Sequence, residues 1–162
     1  MYGFGPHTEI FKDGKPIKTG FQIFMDSAKA CKPLEVWGDG NVGRDIVYVK
    51  DVIAAFIKAI SSESAKGLYN ITSGKRITLK EEAETIARVF WGDSTKPQVI
   101  DKPEKTNSVD SFLYDINKAK KELGWTPKFS FEDMLLDYIK ENSNNSFGYL
   151  VEKRKMMLKE GL

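Results

Sequence analysis

The sequence is poor in the residues that build disulfide frameworks and metal sites, with one cysteine, Cys31, and one histidine, His7. A single cysteine excludes an internal disulfide and favours a reducing compartment. His7 has no neighbouring cysteine or cluster of acidic ligands, so we interpret it as polar surface and expect no metal. No apolar run reaches the roughly 20 residues of a membrane helix, and no signal peptide is recognisable. We therefore expect a cytoplasmic protein.

A strong charge of either sign is also missing, since 25 basic residues stand against 23 acidic ones and the net charge is +2. Because the charges are so evenly balanced, they give no argument for a nucleic-acid or membrane partner. The 162 residues, of which 41% are hydrophobic, fit one globular domain with a sizeable core.

Short strand and helix patterns alternate along the chain and predict a mixed α/β or α+β fold. Turn signals predict a loop over residues 1–20. Strands are predicted at 34–37, 46–49, 67–71 and 97–100. Helices are predicted at 21–30, at 52–60 after an Asp51 N-cap, at 79–91 after a Thr78–Glu81 capping box, between Asp115 and Gly124, from Ser130 to about 142, and at 148–160. The helix at 52–60 is apolar on most of its circumference, so we expect it to be deeply buried.

The segment Gly38-Asp39-Gly40-Asn41-Val42-Gly43 matches the Gly-x-Gly-x-x-Gly pattern of dinucleotide-binding proteins. Such a site requires a helix after the glycines, because the helix N-terminus holds the pyrophosphate. A strand pattern follows instead. We therefore interpret the segment as a turn between two strands.

Two Tyr-x-x-x-Lys pairs, Tyr114 with Lys118 and Tyr149 with Lys153, match the catalytic pair of short-chain dehydrogenases. About one such match is expected by chance in a lysine-rich chain with several tyrosines. Tyr114 precedes the helix that Asp115 caps, so its side chain and that of Lys118 would not share a helix face. Tyr149 begins a terminal helix, where we expect a packing role. Neither tyrosine is predicted to be catalytic.

Five motifs follow one another in order between residues 2 and 141. They are Tyr2-Gly3-x-Gly5-Pro6, the run Lys32–Gly40, the run Arg44–Val52, Tyr69-Asn70-Ile71-x-Ser73-Gly74 with Thr78-Leu79, and Asp115-x-x-Lys118-Ala119-x-x-x-Leu123-Gly124-Trp125-x-Pro127. Together they resemble the extended short-chain dehydrogenase family, which includes UDP-glucose 4-epimerase and dTDP-glucose 4,6-dehydratase.

The resemblance implies the C-terminal, substrate-binding part of a Rossmann-type enzyme, with most of the cofactor-binding sheet missing. It implies a nucleotide-sugar-binding domain over residues 1–142, followed at 143–162 by a linker and a terminal amphipathic helix. The family's NAD fingerprint and its Ser/Thr, Tyr and Lys catalytic residues lie upstream of the Tyr-Gly-Pro loop. We therefore expect NAD in the full-length enzyme, and a fragment that neither binds NAD in the family manner nor transfers a hydride alone.

The resemblance also implies that Arg44 contacts the diphosphate of a nucleotide sugar such as UDP-glucose. A guanidinium suits this role because it is always charged and donates in a fork. The alternative for Arg44 is a structural ion pair with Asp45 or Asp51.

Four further substrate-binding candidates follow from the resemblance. Glu35 and Trp37 align with the strand that contacts the base, mostly through backbone groups; Trp37 adds a ring face, although a strand tryptophan is about as often plain core. Thr19 lies near the start of the helix that flanks the phosphates. Upstream of Asp115, where many relatives carry Arg-Pro-Gly-Asp, this chain has Lys105-Thr106-Asn107-Ser108. Lys105 keeps the charge without the fork, so we expect the nucleotide to be held differently.

Three interpretations remain open at this stage. The chain is the nucleotide-sugar-binding portion of an epimerase or dehydratase, a non-catalytic binding or regulatory module, or one part of an assembly with a separate Rossmann half or with its own copies. The apolar segments 52–60 and 67–71 would lack partners in a fragment, and exposed apolar surface tends to be covered by another chain. We therefore expect self-association, disorder around residues 1–20, or altered packing of residues 51–72.

Overall fold

The computed structural model of the protein describes residues 3, 9–12, 15–92, 99–107, 109–145 and 147–159. These residues form a mixed α/β fold, as predicted. The strands are β1 (Glu9–Lys12), β2 (Lys15–Lys18), β3 (Leu34–Trp37), β4 (Gly43–Asp45), β5 (Arg76–Thr78) and β6 (Val99–Lys102). The helices are α1 (Gly20–Lys29), α2 (Val49–Ile60), α3 (Leu79–Trp91), α4 (Asn117–Leu123), α5 (Phe131–Ser143) and α6 (Gly148–Lys159).

The first two strands form a hairpin where the sequence predicted a loop. β1 pairs antiparallel with β2, which places residue 10 opposite residue 17. The runs Glu9–Lys12 and Lys15–Lys18 carry strand-forming residues on either side of an Asp-Gly dipeptide, which is a hairpin signal. The loop expected over residues 1–20 is therefore wrong for these two strands. His7 lies outside the described residues.

The main core lies between the sheet of β3 and β6 and the helices α1, α3 and α5. β3 and β6 run parallel, and the helices cover the inner face of this pair, as is usual for parallel strands. Leu34 and Val36 are completely buried on that face, whereas Glu35 and Trp37 alternate with them and face outward. Tyr48 and the helices contribute the remaining buried side chains, which on the helices are Phe21, Phe24, Met25, Ala28, Leu79, Ala83, Ile86, Ala87, Met134, Leu135 and Tyr138.

Capping boxes begin two of these core helices. The Thr78 hydroxyl accepts from the Glu81 amide at 3.1 Å, and the Glu81 carboxylate accepts from the Thr78 amide at 2.8 Å. Ser130 and Asp133 repeat this exchange at the start of α5. Hydrogen bonds from the Thr78 backbone and hydroxyl lower the pKa of Glu81, and the Ser130 hydroxyl and amide do the same for Asp133. Both predicted helix starts are confirmed.

The boundary between β4 and α2 differs from the prediction. The sequence placed a strand at 46–49, but the strand is Gly43–Asp45, and the helix begins at Val49 with Tyr48 as its N-cap. β4 pairs with β5 so closely that a Cβ at Gly43 would lie 2.6 Å from the Ile77 carbonyl oxygen. In the run that follows, Val47 and Tyr48 are buried, whereas Ile46 and Val49 are half-buried.

Asp51 is a buried acceptor, and the prediction that it caps α2 is wrong. Its carboxylate accepts from the backbone amides of Lys128 at 2.9 Å and Phe129 at 3.2 Å. Its carbonyl oxygen accepts from the Trp125 indole at 3.0 Å. Asp51 is 1% exposed, so these bonds tie α2 to the segment between α4 and α5 in a region that excludes water.

A second, smaller core joins α2 to α4. Ala55, Ala119 and Trp125 are buried there, with Ile116 and Leu123. Asp115 accepts from the Asn117 amide at 2.7 Å, and Gly124 ends α4 in the left-handed conformation with a φ of 57°. The predicted short helix between these residues is confirmed.

One face of α2 is exposed, which corrects the expectation of a deeply buried helix. Phe56 is 63% exposed and Ile60 is 85% exposed, and Ile53 and Ile57 are exposed beside them. The predicted strand at 67–71 is absent from the described residues, and Leu68 is 92% exposed. A parallel strand requires hydrogen-bonded neighbours, and within the described part of the chain β3 and β6 pair with each other alone. The exposed face of α2 and Leu68 are therefore not covered by other described residues.

Replacing Asp51 with alanine should lower the free energy of unfolding by about 3 kcal/mol, because two backbone amides lose their acceptor in a buried place. Urea denaturation followed by circular dichroism measures the change. Glu63→Ala removes an exposed carboxylate and should change stability by no more than about 0.5 kcal/mol. Equal losses for the two variants would contradict the assigned role of Asp51.

Candidate functional site

Three predicted site residues, Glu35, Trp37 and Lys105, contact one another on the outward face of β3. The Lys105 Nζ lies 2.6 Å from Glu35 Oε2 and 4.4 Å from the centroid of the Trp37 ring. The Trp37 indole donates to the same Glu35 oxygen at 3.0 Å. The Glu35 and Lys105 side chains are each 39% exposed and Trp37 is 46% exposed, so a solute can reach all three. We call these residues the β3 cluster.

Asn107 fastens the loop that carries Lys105 to the end of β3. Its side-chain amide donates to the Trp37 carbonyl oxygen at 2.6 Å, and its side-chain oxygen accepts from the Val109 amide at 3.1 Å. The Gly38 amide donates to the Lys102 carbonyl at 3.0 Å and extends the pairing of β3 with β6. The sequence noted Asn107 only as a departure from relatives, because the parallel pairing that brings it to Trp37 leaves no local pattern.

Glu35 is the acceptor in the β3 cluster. The hydrogen bond from Lys105 and then the one from Trp37 hold the pKa of this carboxyl below its usual value. Glu35 is therefore ionised at neutral pH and can only accept hydrogen bonds. The cluster thus offers a carboxylate, an ammonium and an aromatic face at one place.

Arg44 lies on β4 and pairs with Glu82 of α3, a residue the sequence analysis did not single out. An Arg44 Nη lies 3.7 Å from Glu82 Oε2. The Glu82 side chain is 2% exposed and the Arg44 side chain is 30% exposed. Glu82 shares a helix face with the buried Leu79 and Ile86, and a carboxylate at such a position is the signal that could have found it.

The alternative partners expected for Arg44 have other roles. The Asp45 carboxylate accepts from the Ser73 hydroxyl at 2.6 Å and from the amides of Gly74 and Tyr114. Asp51 holds the amides before α5. The ion pair predicted as the alternative therefore exists with Glu82, and the identity of its acid was predicted wrongly.

Thr19 is the N-cap of α1. Its hydroxyl oxygen accepts from the Gln22 amide at 3.2 Å. This bond gives Thr19 a local structural role at the start of the predicted flanking helix. Its contact with substrate stays a prediction.

The glycine-rich segment forms a turn between β3 and β4, as predicted. Gly38 has a φ of 69°, a conformation that favours glycine, and Gly43 is required by its close approach to β5. The element after the glycines is a strand, so the segment lacks the helix N-terminus that would hold a pyrophosphate. These residues do not fit a dinucleotide, and no catalytic step is assigned through NAD here.

The two tyrosine–lysine pairs show no catalytic arrangement. Tyr114 precedes α4, as predicted, and the Lys118 ammonium donates to the carbonyl oxygens of Lys66 and Leu68 and lies over the Tyr69 ring. Tyr149 lies in α6 and is 72% exposed. The packing role expected for Tyr149 is therefore absent among the described residues.

A groove of about 530 Å³ lies apart from the β3 cluster, between β5, α3 and the start of α5. None of the five predicted site residues lines it. Lys75 and Lys128 line it together with Asp133, so its charges are mixed. Burial, and then a hydrogen bond to Asp137, raise the pKa of Tyr48 at its wall, so that hydroxyl is no base. The groove therefore offers no consistent ligand chemistry.

Neither a metal site nor a membrane-spanning helix is found among the described residues. The described part of the chain contains no group of three or more His, Cys, Asp or Glu side chains placed to hold a metal. Within that part, no helix combines the length and apolar character needed to cross a bilayer.

The model of the GDP-mannose 4,6 dehydratase family matches residues 21–138, well over half of the chain and including Arg44 and the β3 cluster. The chain belongs to the NAD-dependent nucleotide-sugar epimerases and dehydratases, the extended short-chain dehydrogenases. The dTDP-4-dehydro-6-deoxyglucose reductase of Escherichia coli is 32% identical over 120 residues, which cover 73% of this chain and 36% of that protein. UDP-glucuronic acid decarboxylase 1 of Arabidopsis thaliana is 30% identical over 135 residues, or 82% of this chain and 28% of that relative.

Solved structures agree on the fold of this family member. UDP-N-acetylglucosamine 4-epimerase of Bacillus cereus superposes with a TM-score of 0.67 at 23% identity, covering 87% of this chain and 43% of the other. UDP-glucose 4-epimerase of Thermotoga maritima, solved with UDP-glucose, gives 0.62 at 28% identity, covering 86% and 43%. An enzyme of Bordetella bronchiseptica solved with NADH gives 0.62 at 26%, covering 83% and 39%. The chain thus spans less than half the length of the proteins it matches.

The family member described here should show no affinity for NAD by itself, because its glycine-rich segment is a turn between strands. Calorimetric titration of the folded chain with NAD⁺ and NADH tests this, with circular dichroism as the check on folding. A dissociation constant in the micromolar range for either form would contradict the interpretation of the segment.

Proposed function

We propose that this chain is the nucleotide-sugar-binding portion of an NAD-dependent epimerase or dehydratase. Its substrate is a nucleoside-diphosphate sugar, and its contribution is to hold the nucleotide so that the sugar reaches the cofactor. Positioning of this kind removes much of the entropic cost from the chemical step. NAD, in the whole enzyme, supplies the hydride chemistry, and no residue of this chain is assigned a catalytic role.

The observation that carries the proposal is the anchored guanidinium of Arg44. The β4–β5 ladder places Arg44 opposite Ile77, and the buried Glu82 carboxylate lies against its guanidinium. An arginine held from behind in this way loses less rotational freedom when it meets a phosphate. Its side chain is 30% exposed, so an anion can reach the group from solvent.

The β3 cluster supports the same proposal from the strand that precedes β4 in the chain. Residues 38–42 alone connect β3 to β4, so the aromatic face of Trp37 and the charge of Arg44 belong to consecutive strands. An aromatic surface and a cation on adjacent elements suit a base and a diphosphate. Lys105 adds a second cation, in the segment where the family resemblance implies an arginine.

Arg44→Ala should weaken the binding of nucleoside diphosphates by about 2–3 kcal/mol, because a charge-assisted hydrogen bond to the diphosphate is lost. The matching nucleosides, which lack phosphate, should bind with unchanged affinity. Calorimetry on the folded chain measures both ligands.

Because Arg44→Ala also leaves Glu82 buried without this partner, Arg44→Lys is the companion variant. It keeps a charge near Glu82 but loses the fork, so diphosphate affinity should fall by less than in Arg44→Ala. Arg88→Ala is the matched control, because it removes an arginine that lies on α3 and pairs with Glu132. Equal weakening of nucleosides and diphosphates would assign Arg44 a structural role only.

A second candidate function, assembly with another chain, is favoured by the exposed face of α2. Ile53, Phe56, Ile57 and Ile60 form an apolar stripe, and contiguous stripes of this kind are unusual on monomers. We propose that a second copy, or a separate cofactor-binding half, covers this face.

The chain should therefore self-associate at micromolar concentration, and Phe56→Glu should shift it toward monomer by placing a charge in the apolar stripe. Multi-angle light scattering measures the mass of each species. Ile23→Glu introduces the same charge at a half-exposed site on α1 and should leave the mass unchanged. A monomeric wild-type chain would contradict coverage by a second copy and leave only a separate cofactor-binding half as the partner.

A further inference from the structure

Glu82 occupies a position on α3 where the core calls for an apolar side chain. Leu79, Ala83 and Ile86 lie on the same face of the helix, and each of them is at most 9% exposed. The Glu82 side chain is itself 2% exposed. Replacing a buried ion pair with apolar side chains is often neutral or stabilising, so the stability of the fold does not explain a carboxylate at this position.

The Glu82 carboxylate acts on a cation that solvent can reach. It lies 3.7 Å from an Arg44 Nη, and the Arg44 side chain is 30% exposed. A charge that is shielded from water and counterions is weakly screened, so the field of Glu82 extends to a ligand that contacts Arg44. The pair of Glu35 with Lys105 differs in this respect, because both of its side chains are 39% exposed and solvent screens them.

Nucleotide sugars and free nucleoside diphosphates present different charges to such a guanidinium. In a nucleotide sugar both phosphates are esterified, so each carries one negative charge at neutral pH. In a free nucleoside diphosphate the terminal phosphate ionises a second time with a pKa of about 6, so this phosphate carries nearly two charges at neutral pH. Arg44 attracts the additional charge and Glu82 repels it. The carboxylate therefore decides how much the additional charge contributes to binding.

We propose that Glu82 is a specificity-determining residue, which removes the electrostatic advantage of a free nucleoside diphosphate over a nucleotide sugar at Arg44. This inference rests on the proposed function and concerns the charge of its ligand. Arg44 attracts the diphosphate of both ligands, and the buried negative charge behind it offsets the stronger attraction of the free diphosphate. The chain can then hold a nucleotide sugar in the presence of the free nucleoside diphosphate.

The expected size of this effect follows from the distance between the charges. A phosphate on the open side of the Arg44 guanidinium would lie roughly 7 Å from the Glu82 carboxylate, since a charge-assisted hydrogen bond adds about 3 Å to the separation within the pair. At that distance, and with the effective dielectric constant found near protein surfaces, one unit of charge changes an affinity by about tenfold or more.

The test is a calorimetric titration of the folded chain with GDP, UDP and dTDP and with the terminal methyl ester of each. The ester reproduces the charge of a nucleotide sugar without adding contacts from a sugar. In the wild-type chain, each free diphosphate and its ester should bind with affinities within about threefold of each other. Glu82→Gln removes the charge and keeps the shape, so the free diphosphate should gain about tenfold over its ester.

A series of pH values separates charge selection from a purely structural role of Glu82. Between about pH 5.5 and pH 7.5 the terminal phosphate acquires its second charge, whereas the ester does not titrate. In Glu82→Gln, the affinity for the free diphosphate should therefore rise with pH relative to the ester, and in the wild-type chain the ratio should stay nearly constant. Glu84→Gln is the matched control, because it removes an exposed carboxylate from the same helix and should leave the ratio unchanged.

Circular dichroism checks the fold of each variant, and Glu82→Leu, which suits the apolar face of α3, replaces Glu82→Gln if that variant does not fold. An unchanged ratio of diphosphate to ester in the folded variant would overturn the role of Glu82 and leave the proposed function intact. A wild-type chain that already favours the free diphosphates by about tenfold would do the same. If none of the six ligands binds, the proposed function itself is contradicted and the role of Glu82 falls with it.

Discussion

The parallel pairing of β3 with β6 is the constraint on which the rest of the structure depends. It joins residues 34–37 to residues 99–102 across more than 60 positions of the chain. The two-residue period of a strand then sends Leu34 and Val36 into the core, and turns Glu35 and Trp37 to the opposite face. The same pairing carries the following loop to the end of β3, where Lys105 meets Glu35. The core and the candidate site therefore lie on opposite faces of the β3–β6 strand pair.

Buried carboxylates hold the remaining elements in place. The Asp51 carboxylate accepts hydrogen bonds from backbone amides before α5, and the Asp45 carboxylate accepts from the amides of residues 74 and 114. Glu82 pairs with Arg44. Each acid is nearly excluded from water, so its partners are needed to offset the cost of burial. Removal of a partner should therefore disturb a whole junction. Arg44 serves both the fold and the proposed function, because the guanidinium that pairs with the buried Glu82 is also exposed to solvent.

Local signals in the sequence predicted the local parts of the fold. The Thr78 and Ser130 caps, the ends of α3 and α5, and β3 follow from hydroxyl, carboxylate and apolar spacing within a few residues. Two of the errors concern long-range partners. Of the run at 46–49, Val47 and Tyr48 are buried and Val49 already belongs to α2, and the run at 67–71 forms no strand among the described residues. Strand propensity describes how well a side chain fits the surface of a sheet. The neighbouring strand that completes the sheet must come from another part of the chain.

In the candidate site, too, the residues could be predicted but their long-range contacts could not. Glu35, Trp37 and Lys105 were identified by resemblance, but their mutual contacts depend on a pairing that no motif encodes. Glu82 could have been recognised as an acid on the apolar face of a helix, whereas its partner could not.

The central claim is that this chain holds a nucleotide between the β3 cluster and Arg44. Heteronuclear NMR of the isotope-labelled chain, titrated with GDP, tests it most directly. The account predicts chemical-shift changes at the Trp37 indole, the Arg44 guanidinium and the amides of residues 105–107. Changes confined to the groove near Tyr48 and Lys128, or no changes at all, would contradict it.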